Sequence, residues 1–285
     1  MVCTFIFWDV KHGSAAYIQT PTGKKIALDL GTGSYGGSND EFSPLLYLKN
    51  EYKITLDAVI ITHPHSDHLY DIKNFDALSP KVLSRPKHLT EQEIRDGNRS
   101  DDKEIIDKYW DIHMRYNDPV SDLVNPLLPT NNGGVEIKHF VPSSCATSNL
   151  NNHSMVTIIS CASSKILIPG DNEPASWDEL LKQDSFKSAI KDTDILVAPH
   201  HGRDSGFSAS LFEHINPYLT IISDGRFCDT SATGRYSNKT RGWKVNKRNG
   251  EKEERKCVTT RNDGAILVKF GRNQDNTPFM SVNID

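Results

Sequence analysis

The sequence predicts an α/β protein, and three observations carry the prediction. Short apolar runs alternate with turn residues through the first third, a Gly-rich loop leads into a short helix between two of those runs, and strand and helix patterns interleave again beyond residue 135. The 285 residues are 36% hydrophobic and 25% charged, enough apolar content for a sizeable core and too little charge imbalance for wholesale disorder. Length alone does not demand two domains, since a large α/β sandwich fills this range as one.

Taken in order, Thr4 to Trp8, Ala15 to Gln19, Lys25 to Leu30 and Ala58 to Thr62 read as strands, punctuated by Pro21, Gly23, Gly31 and Gly33. Between Thr32 and Lys53 the Gly-rich loop precedes a short helix at Pro44 to Leu48. From Leu89 to Asn117 the residues Ile94, Ile105, Ile106, Tyr109, Trp110 and Met114 recur at roughly helical intervals around Asp96-Gly97-Asn98, a helical insertion near 89–117. Further strands are expected at Val135 to Val141, Met155 to Cys161, Lys165 to Pro169, Ile195 to Pro199 and Ala265 to Phe270, with helices at Trp177 to Ile190 and Ala209 to Ile215. Residues 231–261 are basic and poor in aliphatic side chains, and read as a second insertion into one domain spanning 1–285. No repeat of fixed period is present.

Composition also restricts function. The apolar run Cys3 to Trp8 lacks a basic start and a small-residue cleavage site, and no stretch approaches the roughly 20 apolar residues of a membrane span, so a cytoplasmic protein without membrane contact is expected. Cys3, Cys145, Cys161, Cys228 and Cys257 are odd in number, widely spread and free of any CxxC pair, which fits a reducing compartment. The formal net charge is −4, yet Arg235 to Arg261 holds ten Lys or Arg against three Glu.

Chemistry concentrates in Thr62-His63-Pro64-His65-Ser66-Asp67-His68, directly after the apolar strand Ala58 to Ile61. Imidazole suits zinc, iron or manganese and carboxylate oxygen suits harder divalent ions, so three His and one Asp within six residues can serve two adjacent metals. Chance clustering of surface histidines is the alternative, and the strand-end position weighs against it. Two later strands end in the same way. Lys165 to Gly170 runs into Asp171, and Asp194 to Pro199 runs into His200-His201-Gly202. Asp171 alone could cap the helix that Asn172, Glu173 and Pro174 open, and the two histidines alone could be structural.

HxHxDH followed by strand-GD and strand-PHHG resembles the metallo-β-lactamase superfamily, and most resembles the branch fused to the DNA-uptake channel protein ComEC/Rec2. Asp9 to Ala15 resembles that branch's DVGQGDA, Leu28 to Gly31 its LDxG, Asn151 to Val156 its NxxSxV, and Thr260 to Ile266 its T-x-x-x-G-A-I, a match from residue 9 to about 268. The resemblance implies a metallo-β-lactamase-like four-layer αβ/βα sandwich with two divalent metal ions, Zn or Mn, at one edge beyond the strand ends. It makes His63 and His65 ligands of the first ion, Asp67 and His68 of the second, Asp171 a bridge, and His200 the completion of the second site. At the third position of the first ion the superfamily uses histidine while this branch opens the motif with Asn; His153 is either that ligand or merely adjacent, and the ligand reading is favoured. HHGS becomes His201-Gly202-Arg203 and Gly-Gln becomes Lys11-His12, which adds positive charge suited to an anionic substrate.

A water bridging two such ions loses much of its pKa, which supplies hydroxide near neutral pH. By family analogy Asp67 orients it, while His201, Arg203 or Ser154 can donate to the charge that develops on the substrate. Ser205 and Ser208 are further donors, though helix capping is their more ordinary role. The basic stretch, with Tyr236 and Trp243 inside it, can contact phosphates and stack on bases, or simply form a solvated face. The expected activity is therefore that of a phosphodiesterase or nuclease acting on nucleic acid or nucleotides. The alternatives are a hydrolase of a lactone, thioester or β-lactam, and a non-catalytic binding module on the same fold. Oligomeric state is not legible in the sequence.

Overall fold

The computed structural model describes residues 2–32, 42–225 and 231–285. Gly33, much of the Gly-rich loop and Cys228 lie outside the described residues. Fifteen strands are present in the described chain: β1 (Val2–Phe7), β2 (Ala15–Gln19), β3 (Lys25–Leu30), β4 (Ala58–Ile60), β5 (Val82–Ser84), β6 (Glu136–Phe140), β7 (Val156–Cys161), β8 (Ser164–Ile168), β9 (Ile195–Val197), β10 (Leu219–Ile222), β11 (Trp243–Lys247), β12 (Lys252–Arg255), β13 (Cys257–Thr259), β14 (Ile266–Arg272) and β15 (Pro278–Ile284). They form a nine-stranded sheet ordered β12-β11-β15-β14-β1-β2-β3-β4-β5 and a six-stranded sheet ordered β13-β10-β9-β8-β7-β6.

Strand periodicity explains the layering. Ala58 and Ile60 of β4 point to the space between the sheets, with Phe5, Ile18, Ile159, Ile166 and Ile221, while Val59 and Ile61 point outward. That outer face is covered by Leu45 and Leu48 of the helix Pro44–Asn50, Phe75, and Tyr109 and Ile112 of the helix Lys103–Arg115. The second sheet sends Ile158, Leu167 and Leu196 outward against Trp177, Phe186 and Tyr236. Helices therefore lie on both outer faces of two packed sheets, the αβ/βα arrangement. Strands buried on both faces give up the apolar–polar alternation, which is why Ala58 to Ile61 reads as a continuous apolar run.

The helix expected over Trp177 to Ile190 is two helices, Pro174–Leu180 and Asp184–Ile190. At 3.6 residues per turn an unbroken helix would set Trp177 and Phe186 on about opposite faces. Both are fully buried against the same sheet, and the break at 181–183 permits it. Ala209 to Ile215 yields only the single turn Leu211–Glu213. The 231–261 stretch contributes β11 and β12 to the first sheet and β13 to the second, beside the helices Thr233–Asn238 and Thr260–Asp263. Residues 89–117 hold the helices Glu91–Asp96 and Lys103–Arg115. Among the described residues no helix is long and apolar enough to cross a membrane, and Cys3, Cys145, Cys161 and Cys257 are free thiols.

Candidate metal centre

Parallel pairing of β3 with β4, and of β8, β9 and β10, brings their C-terminal ends to one edge of the sandwich. The segments leaving those ends carry the histidine and aspartate motifs. Ligand atoms of Asp67, His68, Asp171 and His201 lie within 4.8 Å of one another, and His68, Asp171 and His201 are buried. His68 Nε2 is 3.2 Å from Asp171 Oδ1. His201 Nε2 is 3.2 Å from Asp67 Oδ2 and 3.4 Å from Asp171 Oδ2.

The outward nitrogens decide what the inward ones can do. His68 Nδ1 meets Asp29 Oδ2 at 2.8 Å, and His201 Nδ1 meets the Ser223 carbonyl at 3.0 Å. A carbonyl only accepts, so His201 Nδ1 donates and its Nε2 is free to bind a cation; the Asp29 carboxylate fixes His68 in the same sense. Asp29 is itself held by the Thr62 backbone N–H, 2.7 Å, and by the Thr62 hydroxyl. Two imidazoles and two carboxylates so oriented form a donor set that fits a divalent ion.

Charge balance says the same. Burial opposes a charge on His201, but Asp171 and Asp67 outweigh it and raise the group to about 10. Burial likewise works against His68, and Asp171, Asp29 and Asp67 carry it well above its usual value. Asp67 and Asp171 stay well below the usual carboxylate range despite burial, held there by the facing histidines. The carboxylates thus hold positive charge at this point, as protons or as a metal ion.

The other motif residues take distinct places. His63 Nε2 lies 3.0 Å from His65 Nδ1 and 3.9 Å from Asp171 Oδ2, so this pair flanks the four-residue group. His63 is held neutral chiefly by burial, then by neighbouring His68. His200, expected as a ligand, has Nε2 4.0 Å from Asp171 Oδ2, while its Nδ1 meets Glu173 Oε1 at 3.1 Å and Ser205 Oγ at 2.8 Å. His201, expected as a donor to substrate, occupies the inner place. His153 is not brought into the group; its Nδ1 meets His88 Nε2 at 2.8 Å. Ser154 is fully buried and its hydroxyl accepts from the Asp171 N–H at 3.0 Å, so it positions Asp171 instead of facing a substrate. Arg203 lies near enough to His12 to oppose its protonation, a smaller effect than burial, and its Nε is buried without a partner. Ser208 bonds Ser210 Oγ at 2.8 Å and the Leu211 N–H at 3.4 Å, a capping role.

Local backbone geometry explains the weaker motifs. Gly13 has φ +123°, and a Cβ there would come within 2.5 Å of the Asp67 carbonyl oxygen. The glycine of DVxxG thus lets the β1–β2 loop close over Asp67, and it brings His12 Nε2 to 3.3 Å from Asp67 Oδ2. Gly170, φ +62°, would meet Thr62 and Ser154 side chains below 3.0 Å with any Cβ. His200 and His201 are consecutive non-glycine residues in the left-handed region, φ 49° and 53°, a strained pair at the centre of the site. Sequence reasoning did not assign His12, His88, Asp29, Glu173 or Ser223 to the site. His12 and Asp29 lay inside recognised motifs; His88 and Ser223 carry no sequence signal.

The family model of the metallo-β-lactamase superfamily matches residues 8–205, and the chain belongs to that superfamily. Within it, the chain is similar to Recombination protein 2 of Haemophilus influenzae, 26% identical over 220 residues that cover 77% of this chain and 24% of that protein. It therefore spans about a quarter of that relative's length. Among solved structures it is similar to the metallo-β-lactamase fold protein YhfI from Bacillus subtilis, with 15% identity, TM-score 0.43 and coverage of 80% of this chain and 88% of that one. It is also similar to a long form RNase Z from yeast, with 12% identity, TM-score 0.47 and coverage of 100% and 50%. These structural likenesses concern the fold alone.

Proposed function

We propose that the chain is a divalent-metal-dependent phosphodiesterase or nuclease, acting on nucleic acid or nucleotides with two ions, Zn or Mn. The observation that carries the reading is the convergence of His68 Nε2 and His201 Nε2 on the Asp67 and buried Asp171 carboxylates, with each outer nitrogen already engaged. Asp67, His68, Asp171 and His201 would hold one ion, and His63 and His65 with Asp171 the other. When bound, such ions lower the pKa of water and polarise a phosphoryl oxygen.

The chain's own residues supply the rest. Asp67, tethered by His12, orients the attacking water. His200, backed by Glu173 and directed at Asp171, donates a proton to the departing oxygen. Arg203 and Lys11 favour an anionic substrate. The similarity to a protein named Recombination protein 2 and the basic stretch 235–261 support nucleic acid over a carboxyl derivative.

The test is hydrolysis of bis-p-nitrophenyl phosphate and of labelled single-stranded DNA and RNA with added Mn²⁺ or Zn²⁺, comparing wild type with Asp67→Ala, His68→Ala. Metal-dependent cleavage lost in the double variant is the expected result. No cleavage of any phosphodiester by the metal-loaded wild type would overturn the reading and turn attention to lactones, thioesters, β-lactams or a binding role.

A further inference from the structure

The histidines of the metal edge differ in what holds them. His68 and His201 are backed by Asp29 and the Ser223 carbonyl, His200 by Glu173, and His63 Nδ1 meets Thr62 Oγ1 at 3.2 Å. The His65 ring has no such support: among the described residues its one hydrogen-bond partner is His63 Nε2, which belongs to the same proposed ion site. With no acceptor behind the ring, the direction of His65 depends on its backbone.

That backbone is held from the helical insertion. Asn98 Nδ2 donates to the Pro64 carbonyl at 2.9 Å, and the Ser66 N–H donates to Asn98 Oδ1 at 3.2 Å. These two groups belong to the peptide units on either side of His65. A single carboxamide therefore fixes both planes, and with them the His65 φ of −81° and ψ of 149°. The His65 carbonyl in turn accepts from the His68 N–H at 3.1 Å and starts the turn that carries Asp67 and His68. Asn98 Nδ2 also donates to the Ile94 carbonyl at 2.9 Å, so both ends of the amide are engaged. An ionised carboxylate of the same shape would offer acceptors only.

Asn98 follows the helix Glu91–Asp96, which opens on a capping box between Thr90 and Glu93 and is tied to the helix Lys103–Arg115 by Arg95, 2.7 Å from Asp107. Gly97 lies so close to Leu150 that any Cβ would collide with it, and His88, just before the insertion, meets His153. This part of the chain thus touches both the 62–68 segment and the 150–154 segment whose Ser154 positions Asp171.

We infer that Asn98 is a positioning residue for the His63–His65 half of the metal centre, and that holding the His65 backbone is what residues 89–117 do for the site. His68 and His201 have their own anchors and do not depend on it. The inference rests on the two-ion reading of the proposed function.

The experiment counts bound Zn²⁺ and measures the affinity of each ion by competition titration with a chromophoric chelator. The proteins compared are wild type, Asn98→Ala, Asn98→Asp, His65→Ala, the double variant Asn98→Ala with His65→Ala, and Arg95→Ala, which loosens the insertion without touching the Pro64–Ser66 backbone. In Asn98→Ala the affinity for one ion is expected to fall about 10- to 100-fold while the other stays unchanged. The double variant should be no weaker than His65→Ala alone, because Asn98 acts through that ring. Asn98→Asp keeps the acceptor for Ser66 and loses the donor to Pro64; it should fall between wild type and Asn98→Ala, and it serves if the alanine variant fails to fold. Arg95→Ala should lose stability in urea and keep both affinities. Hydrolysis of bis-p-nitrophenyl phosphate is followed in parallel. Selective loss of one ion, in a protein whose wild type hydrolyses no phosphodiester, would support the role of Asn98 and sink the nuclease reading alone. Unchanged affinities in both Asn98 variants, equal weakening of both ions, the same loss in Arg95→Ala, or a wild type that binds a single ion would overturn the inference.

Discussion

The two ends of β10 handle charge in opposite ways. At its C-terminal end His68, Asp171 and His201 are buried and both histidines have one nitrogen fixed, so side-chain positions are set before any ligand arrives. At its N-terminal end Lys244 and Lys252 stand exposed on strands at the sheet margin. Preorganised donors in a largely buried site can stabilise developing charge, whereas exposed cations can attract a polyanion without fixing its geometry.

The largest effect that would sharpen this contrast is at Asp171, the carboxylate both histidines share. Asp171→Asn is expected to reduce metal-dependent hydrolysis to the metal-free background, and chelation of wild type should do the same; retention of activity in either case would break the comparison. Next comes Asp29→Asn, which removes the acceptor behind His68 without touching the ion. A drop of about 10- to 100-fold in metal affinity by competition titration is expected.

Gly13→Ala should act through geometry alone, because a methyl group 2.5 Å from the Asp67 carbonyl forces the β1–β2 loop away. Loss of about 1–3 kcal/mol in urea unfolding, with reduced hydrolysis, is the expected outcome. A smaller effect separates ionic burial elsewhere from the metal edge. His113 is lowered to about 4 by burial and by the Arg85 charge, and its Nδ1 accepts from Arg85 Nε at 3.2 Å, which requires the neutral ring. Its folded value lies below the ordinary 6.5, so the unfolded chain takes up the proton first and stability falls as pH drops from about 6.5 towards 4, by less than about 1.4 kcal/mol per pH unit. Urea midpoints across that window should show the decline, and His113→Gln should flatten it.

Much of the candidate metal edge was legible because its ligand-type residues arrive in short runs at strand ends. His63 to His68, Asp171 and the His200-His201 pair each follow a β-branched apolar stretch that identifies a buried strand. The short strands β5 and β13 were not legible, since Val-Leu-Ser and Cys-Val-Thr lack the longer apolar run that marks the equally short β4 and β9. β11 and β12 were hidden by charge: on a margin strand one face is solvated, and Lys-Glu-Glu-Arg lacks any apolar signal. β15 was missed for similar reasons, with Pro278 and the surrounding polar residues masking a strand that pairs with β14 from Pro278 to Asn283.

By itself the sequence determined the α/β class, the strand-end positions of the ligand-type residues and the segregation of basic charge, because these depend on local composition and period. Only the tertiary structure decided that His201 faces Asp67 and Asp171 while His200 turns to Glu173. Two adjacent side chains diverge according to their backbone angles, and here both angles lie in a region that sequence pattern does not forecast. The same holds for His153, whose partner His88 comes from a loop 65 residues earlier and is met only when the two sheets pack together.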